Sequence, residues 1–146
     1  MKMKKSTAVS LAKDLVSYLC QKNRSEKFYG FNISFALDLV PIREITTSEK
    51  FSGIVVPHSL TSKIVTRGGR KEREVRIDVG LLRTSREETL EHLISAAQAV
   101  GDSIEGIRLG DAFCTGVEYS PLYSADDWSR QHSFISVLLV TFKVFE

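Results

Sequence analysis

The sequence is poor in the residues that mark special classes of protein. It has two cysteines, Cys20 and Cys114, three prolines and a single tryptophan among 146 residues. Two cysteines at this separation do not make the framework of a small disulfide-rich domain, so we expect buried, reduced thiols. No segment approaches the roughly 20 apolar residues of a membrane-spanning helix. With 26% charged and 42% hydrophobic residues, the chain is typical of a globular protein, and its length predicts one domain over residues 1–146.

The N-terminus has the basic start of an export signal but not its apolar core. Lys2, Lys4 and Lys5 are followed by a stretch that charged residues such as Lys13 and Asp14 interrupt. This pattern favours an amphipathic helix over a cleaved signal. We therefore expect the protein in the cytoplasm of a cell.

Groupings of residues that carry catalysis or bind metals are missing from the sequence. The three histidines, His58, His92 and His132, are isolated from one another, and no His-x₃-His or Cys-x₂-Cys spacing occurs. A catalytic site needs a nucleophile, a base and an orienting group that converge, and a metal site needs clustered ligands. We therefore expect no catalytic residues, no metal and no cofactor, and hence no enzyme.

The N-terminal half predicts one helix followed by strands. Ser6 or Thr7 is placed to cap a helix that ends near Asn23, with apolar residues at the three-and-four spacing of one face. Alternating apolar residues predict a strand over residues 31–40. A short run at 52–59 is broken by Pro57, which belongs at a sheet edge or a strand end. Residues 60–66 and 72–82 flank Gly68-Gly69 and predict a hairpin.

The C-terminal half predicts a second helix and two strands. Thr84 or Ser85 opens the helix with a capping box to Glu87 or Glu88, and Gly101 or Gly106 ends it. A strand over 112–119, a polar loop over 119–132 and a long apolar strand to the last residue follow. The order α-β-β-β-β-α-β-β predicts an α+β fold: a mixed, mainly antiparallel sheet with two helices on one face.

Positive and negative charges are divided between the two halves of the chain. Residues 1–83 contain 16 Lys and Arg against 8 Asp and Glu, whereas residues 84–146 contain 4 against 10. Such a division suits nucleic-acid binding, and it equally suits self-association in which one face meets a different face of the next copy.

The hairpin tip is the best local candidate for a binding surface. Its basic residues are Lys63, Arg67, Arg70, Lys71, Arg73 and Arg76, against Glu72 and Glu74. The tip lacks the lysine and hydroxyl of a phosphate-binding loop. Three readings remain open: a solvated hairpin, contact with an acidic neighbouring protein, or contact with nucleic-acid phosphates.

The polar loop offers a second candidate surface. Asp126 and Asp127 are adjacent there, and consecutive carboxylates rarely converge on one cation, so a surface turn is the simpler reading. Trp128 follows them. It is expected either to close the edge of the core or to anchor a partner, because large aromatic side chains dominate interface hot spots.

Two segments of the chain resemble a known family. "GVEYSPLYSADDWSRQHSFISVLLVTFKVFE" (116–146) is similar to the closing hairpin of the tail-terminator proteins of long-tailed bacteriophages, of the lambda-like type. "SREETLEHLISAAQAVGDSIEGIRL" (85–109) is similar to the second helix of that family. The related tail-completion and neck proteins share its size and general pattern.

The resemblance implies a structural virion protein without catalytic residues. Members of the family form a ring, typically a hexamer, that caps the head-proximal end of the tail tube and stops its polymerisation. The implied partners are other copies of the chain, the tail tube protein and the head connector, with DNA only as cargo through the lumen. The implied location is the virion tail, after assembly in the host cytoplasm. The alternative is a nucleic-acid-binding module that uses the hairpin 63–76.

A ring needs a head-to-tail interface between two different patches. We expect Arg67, Arg70 and Lys71 of one copy to meet an acidic surface of the next, with Arg73 and Trp128 as further candidate interface residues. The acidic surface is expected to include some of Glu87, Glu88, Glu91, Asp126 and Asp127.

Overall fold

The computed structural model describes residues 7–39, 50–64, 67–69, 71–84 and 88–145. Within these ranges the helices are α1 (Thr7–Glu26), α2 (Leu90–Ile104) and α3 (Ala125–Gln131). The strands are β1 (Ser34–Leu37), β2 (Ser52–Ile64), β3 (Lys71–Thr84), β4 (Arg108–Leu109), β5 (Ala112–Tyr119) and β6 (Ser133–Phe145).

The strands form one six-stranded sheet in the order β1-β2-β3-β6-β5-β4. The β1–β2 pair is parallel, and all the other pairs are antiparallel. The predicted α+β class with a mixed, mainly antiparallel sheet is therefore confirmed. The long β6 strand lies inside the sheet between β3 and β5, which explains why its sequence is so apolar.

One face of the sheet carries the hydrophobic core. Alternate residues of β3 and β6, such as Val79 and Leu138, are buried in the same cluster as Leu15 of α1 and Leu93 of α2. Helix α1 packs on the β1–β2 side and α2 on the β5–β6 side. We call the face of the sheet that carries the core and both of these helices the helix face. Both predicted helical stripes are thus buried as their spacing indicated.

The first helix is longer than predicted, and the strand after it is shorter. Asn23 remains helical, and its side chain instead donates to Asn32 Oδ1 at 2.6 Å and accepts from the Ile33 amide at 3.0 Å. Of the strand predicted over 31–40, Ser34–Leu37 pairs with β2, while Phe31 forms an isolated bridge with Phe28. Ser6, one of the two predicted capping residues, lies outside the described residues.

The two strands predicted on either side of Ser59 are one strand, β2. The pairing with β3 continues past Pro57 through a bulge between Pro57 and Ser59. Strand β1 pairs only with Ser52–Val55, so Pro57 lies beyond its end and its missing N–H disrupts no β1–β2 hydrogen bond. The predicted hairpin is confirmed, with Gly69 at φ +83° in its turn.

The second helix begins later than predicted. Thr84 is still part of β3 and pairs with Ser133, and the cap of α2 is Thr89, whose hydroxyl accepts from the His92 amide at 3.4 Å. Ser85 and Glu87 of the predicted capping boxes lie outside the described residues. The helix runs through Gly101 and ends before Gly106, whose φ of +78° suits the residue after a helix.

The polar loop predicted over 119–132 contains a third helix. Ser124 caps α3, because its hydroxyl accepts from the Asp127 amide at 3.4 Å. Asp126 and Asp127 lie in the first turn, where carboxylates interact favourably with the helix dipole. The sequence predicted two helices, and the structure adds α3 as a third, short helix.

Candidate assembly surface

The hairpin of β2 and β3 ends in an arm, which we define as Ser59–Ile64, the Gly68-Gly69 turn and Lys71–Arg76, and its β2 strand is the exposed one. Every residue from His58 to Ile64 is exposed. Two of them are large and apolar: Leu60 is 45% exposed and Ile64 is 69% exposed. A strand edge that carries exposed apolar side chains is a candidate site for pairing with another chain.

Part of the arm's positive charge is neutralised within the chain. The Glu72 carboxylate contacts Lys63 Nζ and Lys143 Nζ, each at 3.3 Å. The hydrogen bond from Lys143, followed by that from Lys63, lowers the pKa of Glu72. The exposed positive charge is consequently concentrated at the tip, at Arg67 and Lys71.

Arg73, another of the predicted tip residues, adds little to this exposed charge. Arg73 is half-buried, and its guanidinium donates to Thr7 Oγ1 at 2.9 Å, which ties the arm to the start of α1. Arg70 lies outside the described residues. Arg73 therefore has a structural contact, while its predicted role in an interface stays a prediction.

The predicted acidic and aromatic residues lie at the opposite end of the sheet. Asp126 is exposed, and Asp127 and Trp128 are half-buried on α3. The tip lies at the Lys71 end of β3, whereas α3 leads into Ser133, which pairs with Thr84 at the other end. A 14-residue strand spans roughly 45 Å. The structure therefore does not bring the two predicted groups together within one chain.

Trp128 packs against the hydrophobic core of its own chain. Its ring packs against the hydrophobic cluster and meets His132 edge-on, with ring centroids 5.2 Å apart. Of the two predicted roles, the structure confirms contact with the core. The half-buried ring still leaves part of its surface accessible.

Of the predicted acidic residues near α2, one forms an ion pair within the chain and one is exposed. Glu88 accepts from the Arg83 guanidinium at 2.9 Å, and Glu91 is exposed in the first turn of α2. Glu87 lies outside the described residues.

A second acidic group, which the sequence reasoning did not single out, lies beside β5. Asp102 and Glu105, at the end of α2, are exposed. Burial raises the pKa of the Tyr119 phenol, and the charges of Asp102 and Glu105 raise it further. Glu105 also adds to the effect of burial that raises the pKa of the Cys114 thiol. The Tyr119 hydroxyl lies against Gly101, and the Cys114 amide donates to the Ile107 carbonyl, so the adjacent Asp102 and Glu105 lie close to the strand.

Little in the described ranges suggests metal or membrane chemistry. They contain no group of three or more His, Cys, Asp or Glu side chains that could hold a metal ion. None of their helices combines the length and the apolar character that crossing a membrane requires. Cys20 and Cys114 are free thiols; Cys114 is buried as predicted, whereas Cys20 is half-buried, so the prediction of two buried thiols is wrong for Cys20.

Comparison with known proteins gives a match of fold. No protein-family model matches the sequence, and no curated protein matches it significantly. Among 19 matching chains of solved structures is one from the virion of a native gene transfer agent particle. The match covers 97% of this chain and 100% of that chain, with a TM-score of 0.59 and 12% sequence identity. The two chains share a fold.

Proposed function

We propose that this protein is a structural component of a phage-like virion. The observation that carries the proposal is the match to a chain of the gene transfer agent virion, which extends over the whole length of that chain. The sequence resemblance of residues 85–109 and 116–146 to phage tail terminators supports the same class independently of the fold. A virion component is expected to assemble with other virion proteins rather than to act on a small molecule.

Within that class, we propose the role of a tail terminator. The protein would form a ring, typically a hexamer, on the head-proximal end of the tail tube, where it ends tube polymerisation and presents a surface to the head connector. Its partners would be its own copies, the tail tube protein and the connector, with DNA passing through the lumen as cargo. The same proposal gives it no enzymatic activity.

The distribution of charge supports a ring with two different contact surfaces. A heterologous interface closes into a ring when one patch of each copy fits another patch of the next. Here the basic tip with Arg67 and Lys71 lies at one end of the sheet, while the carboxylates of Asp102 and Glu105 lie at the β5 side.

The proposal is tested by assembly and by tail length. The purified chain is examined by native mass spectrometry and negative-stain microscopy, alone and with tail tubes grown from purified tube protein. We expect rings, and tubes that stop growing once one end carries a ring. Tubes that continue to lengthen at the wild-type rate, with no ring in either setting, would contradict the proposal.

Retention on DNA tests the alternative of a nucleic-acid-binding module. Arg67 and Lys71 are exposed at the tip, but Glu72 already pairs with Lys63. Phosphate contacts weaken steeply with salt. If the chain does not bind DNA even at low ionic strength, this alternative is removed, whereas salt-sensitive binding without ring formation would favour it.

A further inference from the structure

Two strands of the sheet, β2 and β5, are covered by a neighbouring edge strand over only part of their length in the described part of the chain. Along β2, strand β1 pairs only as far as Val55, so the edge is open from Val56 to Ile64. Along β5, strand β4 pairs with Ala112 and Phe113, and the Ile107 carbonyl accepts from the Cys114 amide. The stretch Thr115–Tyr119 is then open on the side away from β6.

The open edge of β2 offers the backbone groups of alternate residues. The Asp38 amide donates to the Val55 carbonyl, so Val55 faces away from β3. Its partner on β3 is Val79, and alternate β3 residues pair with Leu60, Ser62 and Ile64. By the alternation of an antiparallel ladder, the backbone groups of Leu60, Ser62 and Ile64 also point outward.

The open edge of β5 is defined in the same way. The Ser120 amide donates to the Val137 carbonyl of β6. Glu118 has the same parity and also faces β6, so the backbone groups of Val117 and Tyr119 point outward. An unpaired edge of this kind is a template for pairing with another chain.

We propose that the open edge of β2 in one copy adds as an antiparallel strand to the open edge of β5 in the next copy. This inference rests on the proposed ring, because it names the interface that closes it. Strand β2 runs antiparallel to β5 within the sheet. Two copies set side by side in the same orientation therefore bring the two edges together in the antiparallel sense, as one continuous sheet.

The side chains on the two edges match face by face. Leu60 and Ile64 are on the helix face, because Leu60 pairs with the buried Val75. Val117 and Tyr119 are on the same face and pack against the core. Strand addition would therefore cover the exposed Ile64 with apolar neighbours from the next copy, which removes an apolar surface from water.

Charge selects the register. Lys63 contacts Glu72 on the face of the sheet opposite the helices, but its side chain is still 70% exposed and can meet a second carboxylate there. The exposed Glu118 is on that face too. The register that sets Lys63 opposite Glu118 also sets Ile64 opposite Val117, and both are favourable cross-strand pairs. The same register brings the basic tip toward the exposed carboxylate of Glu105.

A charge exchange tests the interface, because residues 63 and 118 lie on strands separated by β3 and β6 within one copy. We expect Lys63→Glu and Glu118→Lys each to abolish rings at a concentration where the wild type is fully assembled. The double variant should regain rings. An equimolar mixture of the two single variants should also form rings, of alternating copies, because every interface then holds one lysine and one glutamate.

A backbone block provides a second test. Ser62→Pro removes an amide that points away from β3, so the monomer should fold while strand addition is lost. Ser62→Ala is the matched control and should assemble. Circular dichroism and thermal unfolding verify that each variant is folded, and rings are counted by native mass spectrometry, alone and on tube ends.

The outcomes separate this inference from the proposed function. If the wild type forms no ring in either setting, the proposed function fails and the inference fails with it. If the wild type forms rings and both Ser62→Pro and Lys63→Glu assemble as well as it does, the inference is overturned and the proposed function stands. Intact variant rings that no longer cap tubes would assign the β2 edge to the tube protein and would likewise overturn it.

Discussion

The phenol of Tyr119 lies directly against Gly101, so that strand β5 and helix α2 touch with no room for a side chain on the glycine. A methyl group at Gly101 would collide with the Tyr119 hydroxyl, which donates to the Gln98 carbonyl at 3.3 Å. The contact explains why a glycine is found inside α2, in its last turn, although glycine costs about 1 kcal/mol relative to alanine within a helix.

Gly101→Ala should therefore destabilise the protein, although the same exchange on a free helix surface would stabilise it. We expect a loss of about 1–3 kcal/mol in the free energy of unfolding, the usual cost of overpacking, measured by urea denaturation. In a Tyr119→Ala background the exchange should become neutral or stabilising. A gain in stability from Gly101→Ala in the wild type would show that the two elements do not pack this closely.

The two buried serines of β6 should respond differently to the same substitution. Ser136 is fully buried, and its hydroxyl has no hydrogen-bond partner among the described residues. Ser133 is also buried, but its hydroxyl lies 3.2 Å from Thr84 Oγ1. We expect Ser136→Ala to leave the free energy of unfolding unchanged or to raise it, and Ser133→Ala to lower it by about 1 kcal/mol. Only the second substitution removes a hydrogen bond that is present in the folded protein. Equal losses in urea denaturation would contradict this assignment.

Glu72 should make stability depend on pH at the acidic end. Its pKa is lowered in the folded chain by hydrogen bonds from Lys143 and Lys63. A lowered folded pKa means that the stabilisation is complete above the ordinary value of 4.5 and is lost as pH falls below it. Glu72→Gln should therefore flatten the fall of thermal midpoint with pH below about 4.5. An unchanged slope would indicate that other carboxylates carry the effect.

Removing the end of β6 should abolish folding. Truncation after Leu139 deletes the buried Val140, Phe142 and Val144 and leaves Glu72–Ile77 of β3 without their β6 partners. Each buried side chain of this size contributes about 1.5–3 kcal/mol, against a total stability of about 5–15 kcal/mol. We expect an insoluble or unfolded chain by circular dichroism, whereas a chain ending at Phe145 should fold. A soluble, ring-forming truncation would show that the strand is dispensable.

The elements that the sequence predicted well are those in which periodicity and burial coincide. The apolar run after Gln131 became β6 over the predicted length, because both of its edges and one of its faces are covered. The α1 and α2 stripes are buried as expected. The order of the strands in the sheet could not be predicted from the sequence. Strand β6 lies between β3 and β5, and such long-range pairing leaves no local signal.

The predicted start of α2 was wrong because two local signals competed there. Thr84 and Ser85 have good capping residues three positions later, yet Thr84 continues β3 because it pairs with Ser133. Helix α3 did have a local signal, since Ser124 followed by Asp126 and Asp127 is an N-terminal capping pattern. The sequence does not predict the helix because the segment has no apolar stripe and buries none of its residues.

The candidate surface could be predicted only in part. The basic tip was readable, because Arg67 and Lys71 flank a Gly-Gly turn and are exposed. The acidic group at β5 was not, since Asp102 and Glu105 end a helix while Glu118 is on a strand, and only the tertiary fold brings them to one edge. Two open edges at opposite sides of a sheet are likewise a property of the pairing order.

The acidic surface that receives the basic tip can be identified by charge reversal. The sequence pointed to Asp126 and Asp127 on α3, whereas strand addition brings Arg67 and Lys71 toward Glu105. We expect Glu105→Lys to weaken ring formation, measured as the concentration at which half of the chain is assembled, while Asp126→Lys with Asp127→Lys leaves it unchanged. Both changes are at exposed or half-buried positions, so neither should alter the thermal midpoint greatly. A ring that is sensitive to the α3 reversal and insensitive to Glu105→Lys would place the contact at α3, with the tip of one copy reaching the far end of its neighbour's sheet.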